Sequence, residues 1–205
     1  HIVSGGDDWS LFVWDPESPT EPVTRIDAHT RAIRCCDAQA ESPHVVASGS
    51  LDETVRVWDL RTPPREPVAR LEAGSMVLCL RWGLGFLCAG GGIPFDSSLG
   101  TSENVGGWLR VWDPRMWQVL GDAARALPRA ADRWTPPSTR ADGDVNVARQ
   151  AHSFATNALA ALPSLGNAGP AIVSGGDDRH VRVWCSRPLL DGAVPPFYPR
   201  PTLAY

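Results

Sequence analysis

The chain contains no lysine: all 19 of its basic residues are arginine, the outcome that a codon bias toward arginine produces. No side chain of the sequence can therefore carry ubiquitin or an acetyl group on a lysine amine. No apolar run reaches the roughly 18 residues that a membrane-spanning helix needs, so no membrane span is expected. There is no signal or transit peptide at the N-terminus, although the sequence opens on His1 rather than Met and is read as part of a longer chain. Its five cysteines, Cys35, Cys36, Cys79, Cys88 and Cys185, are odd in number and include no C-x-x-C pair. That argues against a disulfide framework and against a Cys-rich zinc site. Free, core-facing thiols fit a reducing compartment, so an intracellular location, cytoplasmic or nuclear, is expected.

Catalytic and cofactor signatures are missing as well. G-x-S-x-G, H-E-x-x-H and the phosphate-binding loop do not occur. Gly83 to Gly90 (GLGFLCAG) looks like a dinucleotide fingerprint only superficially, because its third glycine is misplaced and no helical pattern follows. His29, His44, His152 and His180 lack metal-ligand spacing. No catalytic, metal or cofactor-binding residue is assigned, and no cofactor is expected. The net charge of −4 and pI near 5.7 offer no electrostatic footprint for nucleic acid.

What the sequence does have is a repeat. Hydrophobic content of 43% is enough for a buried core, and 19 Gly with 19 Pro favour many turns. Nine Trp require a specific explanation. Residues 2–8 read IVSGGDD, and residues 172–178 read IVSGGDD again. The longer blocks are IVSGGDDWSLFVWD (2–15), VVASGSLDETVRVWD (45–59) and AIVSGGDDRHVRVWC (171–185), with an interrupted copy in FLCAGG (86–91) and GWLRVWD (107–113). Each is a short apolar strand ending in small residues, a tight turn, and a strand with a period of two. In the uninterrupted copies the turn carries an Asp six positions before a Trp. Each block therefore predicts one β-hairpin. The 44 positions from Trp14 to Trp58 leave room for two more strands, around Val23–Ile26 and Ile33–Cys36. Four strands per 40–45 residues or so is the arithmetic of a propeller blade.

On these residues the chain resembles the WD-repeat (WD40) family. The resemblance implies an all-β fold, a WD40 β-propeller, with about three and a half four-stranded blades in residues 1–194. The family's blade is held by a hydrogen-bonded tetrad of His, Ser or Thr, Asp and Trp. Carried over, it implies His29, Asp52 and Trp58 in the second unit, His152, Asp178 and Trp184 in the fourth, and Asp8 and Trp14 in the first. Cys35 and Ala158 are expected to replace the hydroxyl residue. The third unit has Gly74 and Gly106 where His and Asp would stand. These residues are read as structural, since a buried indole, imidazole and carboxylate can satisfy one another. The family's usual seven blades imply a larger propeller.

Two insertions, near residues 92–106 and 115–144, interrupt the pattern, and the Pro-rich tail 195–205 is read as a linker, with an edge-covering segment or a peptide ligand as alternatives. Binding tends to reside on scaffold loops, and aromatics with Arg dominate contact hot spots. Phe95, Trp117 and Trp134 are thus candidate partner anchors. The expected role is a non-catalytic scaffold for other proteins or peptides. Residues 46–61 (VASGSLDETVRVWDLR) also look like the box through which some WD proteins dock on the adaptor of a cullin-type ubiquitin ligase, with Asp52, Trp58, Asp59 and Arg61 at its marked positions. A substrate receptor is therefore one alternative, and a targeting module of a larger enzyme or regulatory protein is another.

Overall fold

Alternation of apolar and polar residues between Gly-rich turns dictates β-hairpins, and the chain folds as a series of them. The computed structural model describes residues 1–62, 66–83, 85–92, 107–119, 151–152, 154–162, 171–186, 197–199 and 203–204. Phe95 and Trp134, and Gly106, lie outside the described residues. Among the described residues all the regular elements are strands, paired antiparallel in four sheets.

Sheet I holds β1 (Ile2–Gly5), β2 (Ser10–Trp14) and β3 (Thr24–Asp27). Sheet II runs in order β4 (Ile33–Gln39), β5 (Ser42–Ser50), β6 (Thr54–Asp59) and β7 (Ala69–Glu72). Sheet III repeats it with β8 (Val77–Gly83), β9 (Phe86–Gly91), β10 (Trp108–Asp113) and β11 (Gln118–Val119). Sheet IV comprises β12 (Thr156–Leu162), β13 (Ala171–Gly176) and β14 (His180–Ser186), edged by β15 (Phe197–Pro199) and β16 (Leu203–Ala204), both paired with β14. The Pro-rich tail thus covers the outer edge of sheet IV, and that sheet has the fourth strand that the repeat pattern alone did not supply. Residues 115–119, at the start of the expected second insertion, form the β10–β11 turn and the outer strand of sheet III.

The sheets meet through their innermost strands, β4 beside β8 and β8 beside β12. Asp37 of β4 reaches across, accepting the Trp82 backbone N–H of β8 at 2.8 Å and pairing with Arg81 at 3.7 Å. The recurrent glycine near the end of β1, β5 and β9 has a packing cause. A Cβ added at Gly5 would lie 2.4 Å from Ile33 Cγ2, one at Gly49 would lie 2.5 Å from Val77 Cγ1, and one at Gly90 would lie 2.8 Å from Thr156 Cγ2. In each case the first residue of the next sheet occupies the space that a side chain would need, which is why the strand ends in small residues.

The core lies between sheets. Leu11, Ile26 and Ala28 of sheet I, with β4 residue Ile33, enclose Trp58. Val55, Val57 and Leu71 of sheet II pack with Val77, Leu87 and Trp112 of sheet III. Leu109 and Val111 of sheet III pack with Ile172 and Trp184 of sheet IV. Among the described residues no helix is long and apolar enough to cross a membrane.

Candidate functional site

The Asp-Asp and Leu-Asp turns of sheets I, II and IV each set a carboxylate beside the hairpin. Asp8, Asp52 and Asp178 each accept, through Oδ1, the backbone N–H two residues on, from Ser10 at 3.3 Å, Thr54 at 3.1 Å and His180 at 3.1 Å. The intervening residue takes a left-handed conformation every time, with φ of 68° at Trp9, 67° at Glu53 and 64° at Arg179. Such Asx turns place the carboxylate back over the hairpin.

In sheet II the carboxylate meets an imidazole. His29 Nδ1 lies 2.9 Å from Asp52 Oδ2, and His29 Nε2 lies 2.7 Å from Ser48 Oγ. Trp58 Nε1 donates to the same Ser48 Oγ at 3.0 Å. Donor accounting gives one consistent relay. The indole N–H donates to the serine oxygen, the serine O–H donates to Nε2, and Nδ1–H donates to the carboxylate. Thr54 adds its hydroxyl to Asp52 at 2.7 Å, and Arg56 its guanidinium at 3.5 Å. Sheet IV repeats the arrangement: His152 Nδ1 to Asp178 at 2.8 Å, His152 Nε2 to Ser174 Oγ at 2.8 Å, and Trp184 Nε1 to Ser174 Oγ at 2.8 Å. Arg182 pairs with Asp178 at 3.0 Å.

The hydroxyl of both networks comes from the second strand of the sheet. Cys35 and Ala158, the positions expected to have replaced it, stand on first strands, and Ser48 and Ser174 occupy the role. The signal was in the repeat itself, because Ser4, Ser48 and Ser174 share one column of the blocks. In sheet I, Ser4 accepts the Trp14 indole N–H at 2.8 Å. Sheet III departs as a unit: Ala89, opposite Arg110, takes the place of Ser48, opposite Arg56. By the same register Trp108 stands where Thr54 does, and it is buried with Ala73, Val77 and Ala89. Small residues and an indole thus replace the serine, histidine and threonine together, while the strand tryptophan is kept as Trp112.

Burial holds His29 below its ordinary pKa of 6.5, against the raising effect of Asp52, with Arg56 and Arg70 lowering it further. Burial likewise lowers His152, against Asp178, and Arg182 and His180 add to the lowering. Burial works to raise Asp52, but hydrogen bonds from Thr54 and His29 outweigh it and bring the carboxyl to about 2 from 3.8. Folding stability should therefore be complete above about pH 6.5. As pH falls through that value the unfolded chain takes up protons on these histidines while the folded chain does not, and stability drops. A second loss follows as pH falls from 3.8 toward 2 and Asp52 is protonated, first in the unfolded chain. Thermal unfolding followed by circular dichroism from pH 8 to pH 3 checks this. A midpoint that stays flat between pH 7 and pH 5 contradicts a neutral His29 and His152.

The same burial bears on four of the thiols. Burial pushes Cys79 and Cys88 up to about 12, and it raises Cys35 and Cys36 as well, so the nucleophilic thiolate is scarce. Among the described residues, no group of three His, Cys, Asp or Glu could hold a metal ion.

The opposite ends of β2, β6 and β10 carry a second recurrent turn. Asp15, Asp59 and Asp113 accept the backbone N–H of Glu17, Arg61 and Arg115 at 3.0, 3.0 and 2.8 Å. At Arg61 a guanidinium fork is added: Nε lies 3.0 and 3.2 Å from the two Asp59 oxygens, and Nη2 lies 2.7 Å from Oδ2. The Arg61 hydrogen bonds hold the Asp59 carboxyl at about 2. The Arg61 side chain nevertheless remains 66% exposed. On sheet III, Trp117 is half-buried, edge-on to Trp82 at 6.2 Å, and beside it Met116 is exposed. Sequence reasoning missed Met116 and Trp9, both exposed, because their turns do not mark which side chain faces solvent.

The family model described as WD domain, G-beta repeat matches residues 20–59 and 147–185. The first match takes in β3 and ends at Asp59, the last residue of β6. One sequence unit thus supplies the outer strand of sheet I and the inner three strands of sheet II. The second match ends at Cys185, within β14.

Proposed function

Because the chain carries WD repeats, we propose that it is a non-catalytic scaffold that holds other proteins or peptides and recruits them into a larger complex. One observation carries this reading: the repeat turns its chemistry inward. The side chains of His29 and Asp52 are 0% and 5% exposed, and each is engaged by its neighbours. A His–Asp pair so enclosed cannot touch a substrate, and its geometry serves the frame. The groups left outside are of the kind that contact partners, namely an aromatic at Trp9, Met116, and a guanidinium at Arg61. We assign partner contacts to Arg61 with Asp59 and to Trp117, and, from sequence alone, to Phe95 and Trp134. The test is an affinity pull-down from the native source with the wild-type chain and with Trp117→Ala. A stable partner set that the substitution weakens is expected, and recovery of no stable partner by the wild type contradicts the scaffold.

A second reading rests on the Asp59–Arg61 fork. A guanidinium pre-set by its own carboxylate and still exposed suits docking on a ubiquitin-ligase adaptor, as the 46–61 box suggests, and would make the chain a substrate receptor. Arg61→Ala should then abolish adaptor binding in a titration, while the unfolding midpoint moves little, because exposed pairs contribute only about 0–1 kcal/mol. Adaptor binding retained by the variant removes this reading.

A further inference from the structure

The turns that follow β6 and β10 are alike in backbone and unlike in charge. Each is closed by an aspartate that accepts the N–H of an arginine two residues on, Asp59 from Arg61 and Asp113 from Arg115. In sheet II the arginine turns back and grips its own carboxylate, with Nη2 at 2.7 Å. In sheet III Arg115 is exposed, and among the described residues its guanidinium pairs with no carboxylate. Beside it Met116 is 65% exposed, and the next residue, Trp117, is half-buried against the cluster that joins sheets II and III. In edge contact with Trp117 stands Trp82, whose indole Nε1 is buried and has no hydrogen-bond partner. A buried donor without an acceptor costs free energy, which an incoming acceptor relieves.

We propose that this end of the seam between sheets II and III binds an acidic segment of a partner protein, one that carries an aliphatic side chain next to a carboxylate. The inference rests on the scaffold reading and names the chemistry of its partner. An unpaired guanidinium offers a planar fork of donors that matches a carboxylate. Met116 and Trp117 provide the apolar neighbour, and a methionine adapts to the shape of an aliphatic side chain. A carbonyl of the segment, brought against the Trp117 ring, supplies the acceptor that Trp82 lacks. The carboxylates of the two turns are already engaged, Asp59 by Arg61 and Asp113 by the Arg115 N–H. The net charge of −4 opposes an acidic segment only weakly at this place, because charges farther away than about 8 Å are largely screened at physiological ionic strength.

Fluorescence anisotropy with a labelled hexapeptide of alternating aspartate and leucine tests this, against a control peptide with lysine for aspartate. The wild type is expected to bind the acidic peptide and not the basic one. Arg115→Glu should weaken binding by about tenfold or more, as loss of a charge-assisted pair does, and Met116→Asp should weaken it as well. Both positions are exposed, so the strand signature in circular dichroism should stay unchanged. Arg25→Glu, which alters an exposed arginine paired with Asp27 on sheet I, should leave binding unaltered. With nitrogen-15 labelling, the indole N–H signals of Trp82 and Trp117 should move on addition of the acidic peptide, while that of Trp58 stays. The proposal is overturned if the acidic peptide does not bind at about 1 mM, or if the basic peptide or a single-stranded oligonucleotide binds as well. It is equally overturned if Arg115→Glu and Arg25→Glu act alike, or if the Trp82 signal does not move. A wild type that fails these tests yet recovers a stable partner set by pull-down loses this inference alone, and one that recovers none loses the scaffold reading too.

Discussion

Trp58→Ala is expected to lower the unfolding free energy by about 3–5 kcal/mol, as truncation of a large buried aromatic does. Trp58 is among the most deeply buried side chains of the molecule, and it lies between sheets I and II against Leu11, Ile26, Ala28 and Ile33. Its removal therefore opens a cavity at a sheet-to-sheet junction, where neither sheet can collapse without losing its contacts with the next. The substitution also deprives Ser48 Oγ of the indole N–H. Urea unfolding of the wild type and the variant measures the difference. A loss below about 1 kcal/mol would contradict the burial of this side chain and with it the register of sheet II.

Ser48→Ala removes a single oxygen, and yet about 3 kcal/mol is expected. The oxygen joins two buried groups, Trp58 Nε1 at 3.0 Å and His29 Nε2 at 2.7 Å. Without it a donor and an acceptor are both left unsatisfied in the interior, at roughly 1–3 kcal/mol each. Sheet III shows the other way of arranging the site. Ala89 stands at the serine position, Gly74 at the histidine position, and Trp108 at the position of Thr54, while the strand tryptophan is kept as Trp112, so the hydroxyl and the imidazole are lost together. Replacing both members of a buried hydrogen bond by apolar groups can be nearly neutral. The prediction follows that Ser48→Ala combined with His29→Leu costs less than the sum of the two single changes. Equilibrium unfolding of the three variants provides the cycle; strict additivity would mean that the relay does not couple them.

The strands, the hairpin turns and the recurrence of the blades were legible in the sequence because they are local. A period of two, a tight turn and a Trp six residues beyond the turn Asp are properties of consecutive residues, and three complete copies with a fourth that lacks the Asp reinforce one another. Residues on adjacent strands carry no such local mark. Ser48 and Cys35 both precede the turn Asp, and only the pairing of Cys35 with Gly49 and of Ser48 with Arg56 shows which of them projects toward His29. The tail gave a different difficulty. Prolines argue against a central strand, but they do not tell an edge strand from a linker. What separates the two is whether a free edge is waiting, and β14 provides one.

The sequence by itself determined the all-β class, the four Trp-centred units and the identity of the His, Asp and Trp that recur in them. It did so because each depends on side-chain period and spacing along the chain. The tertiary structure alone decided the rest: that Ser48 and Ser174 complete the relays, and that each recurrent glycine makes room for the first residue of the following sheet. These depend on which sheet packs against which, and residues far apart in the chain carry no local mark of the face they will meet.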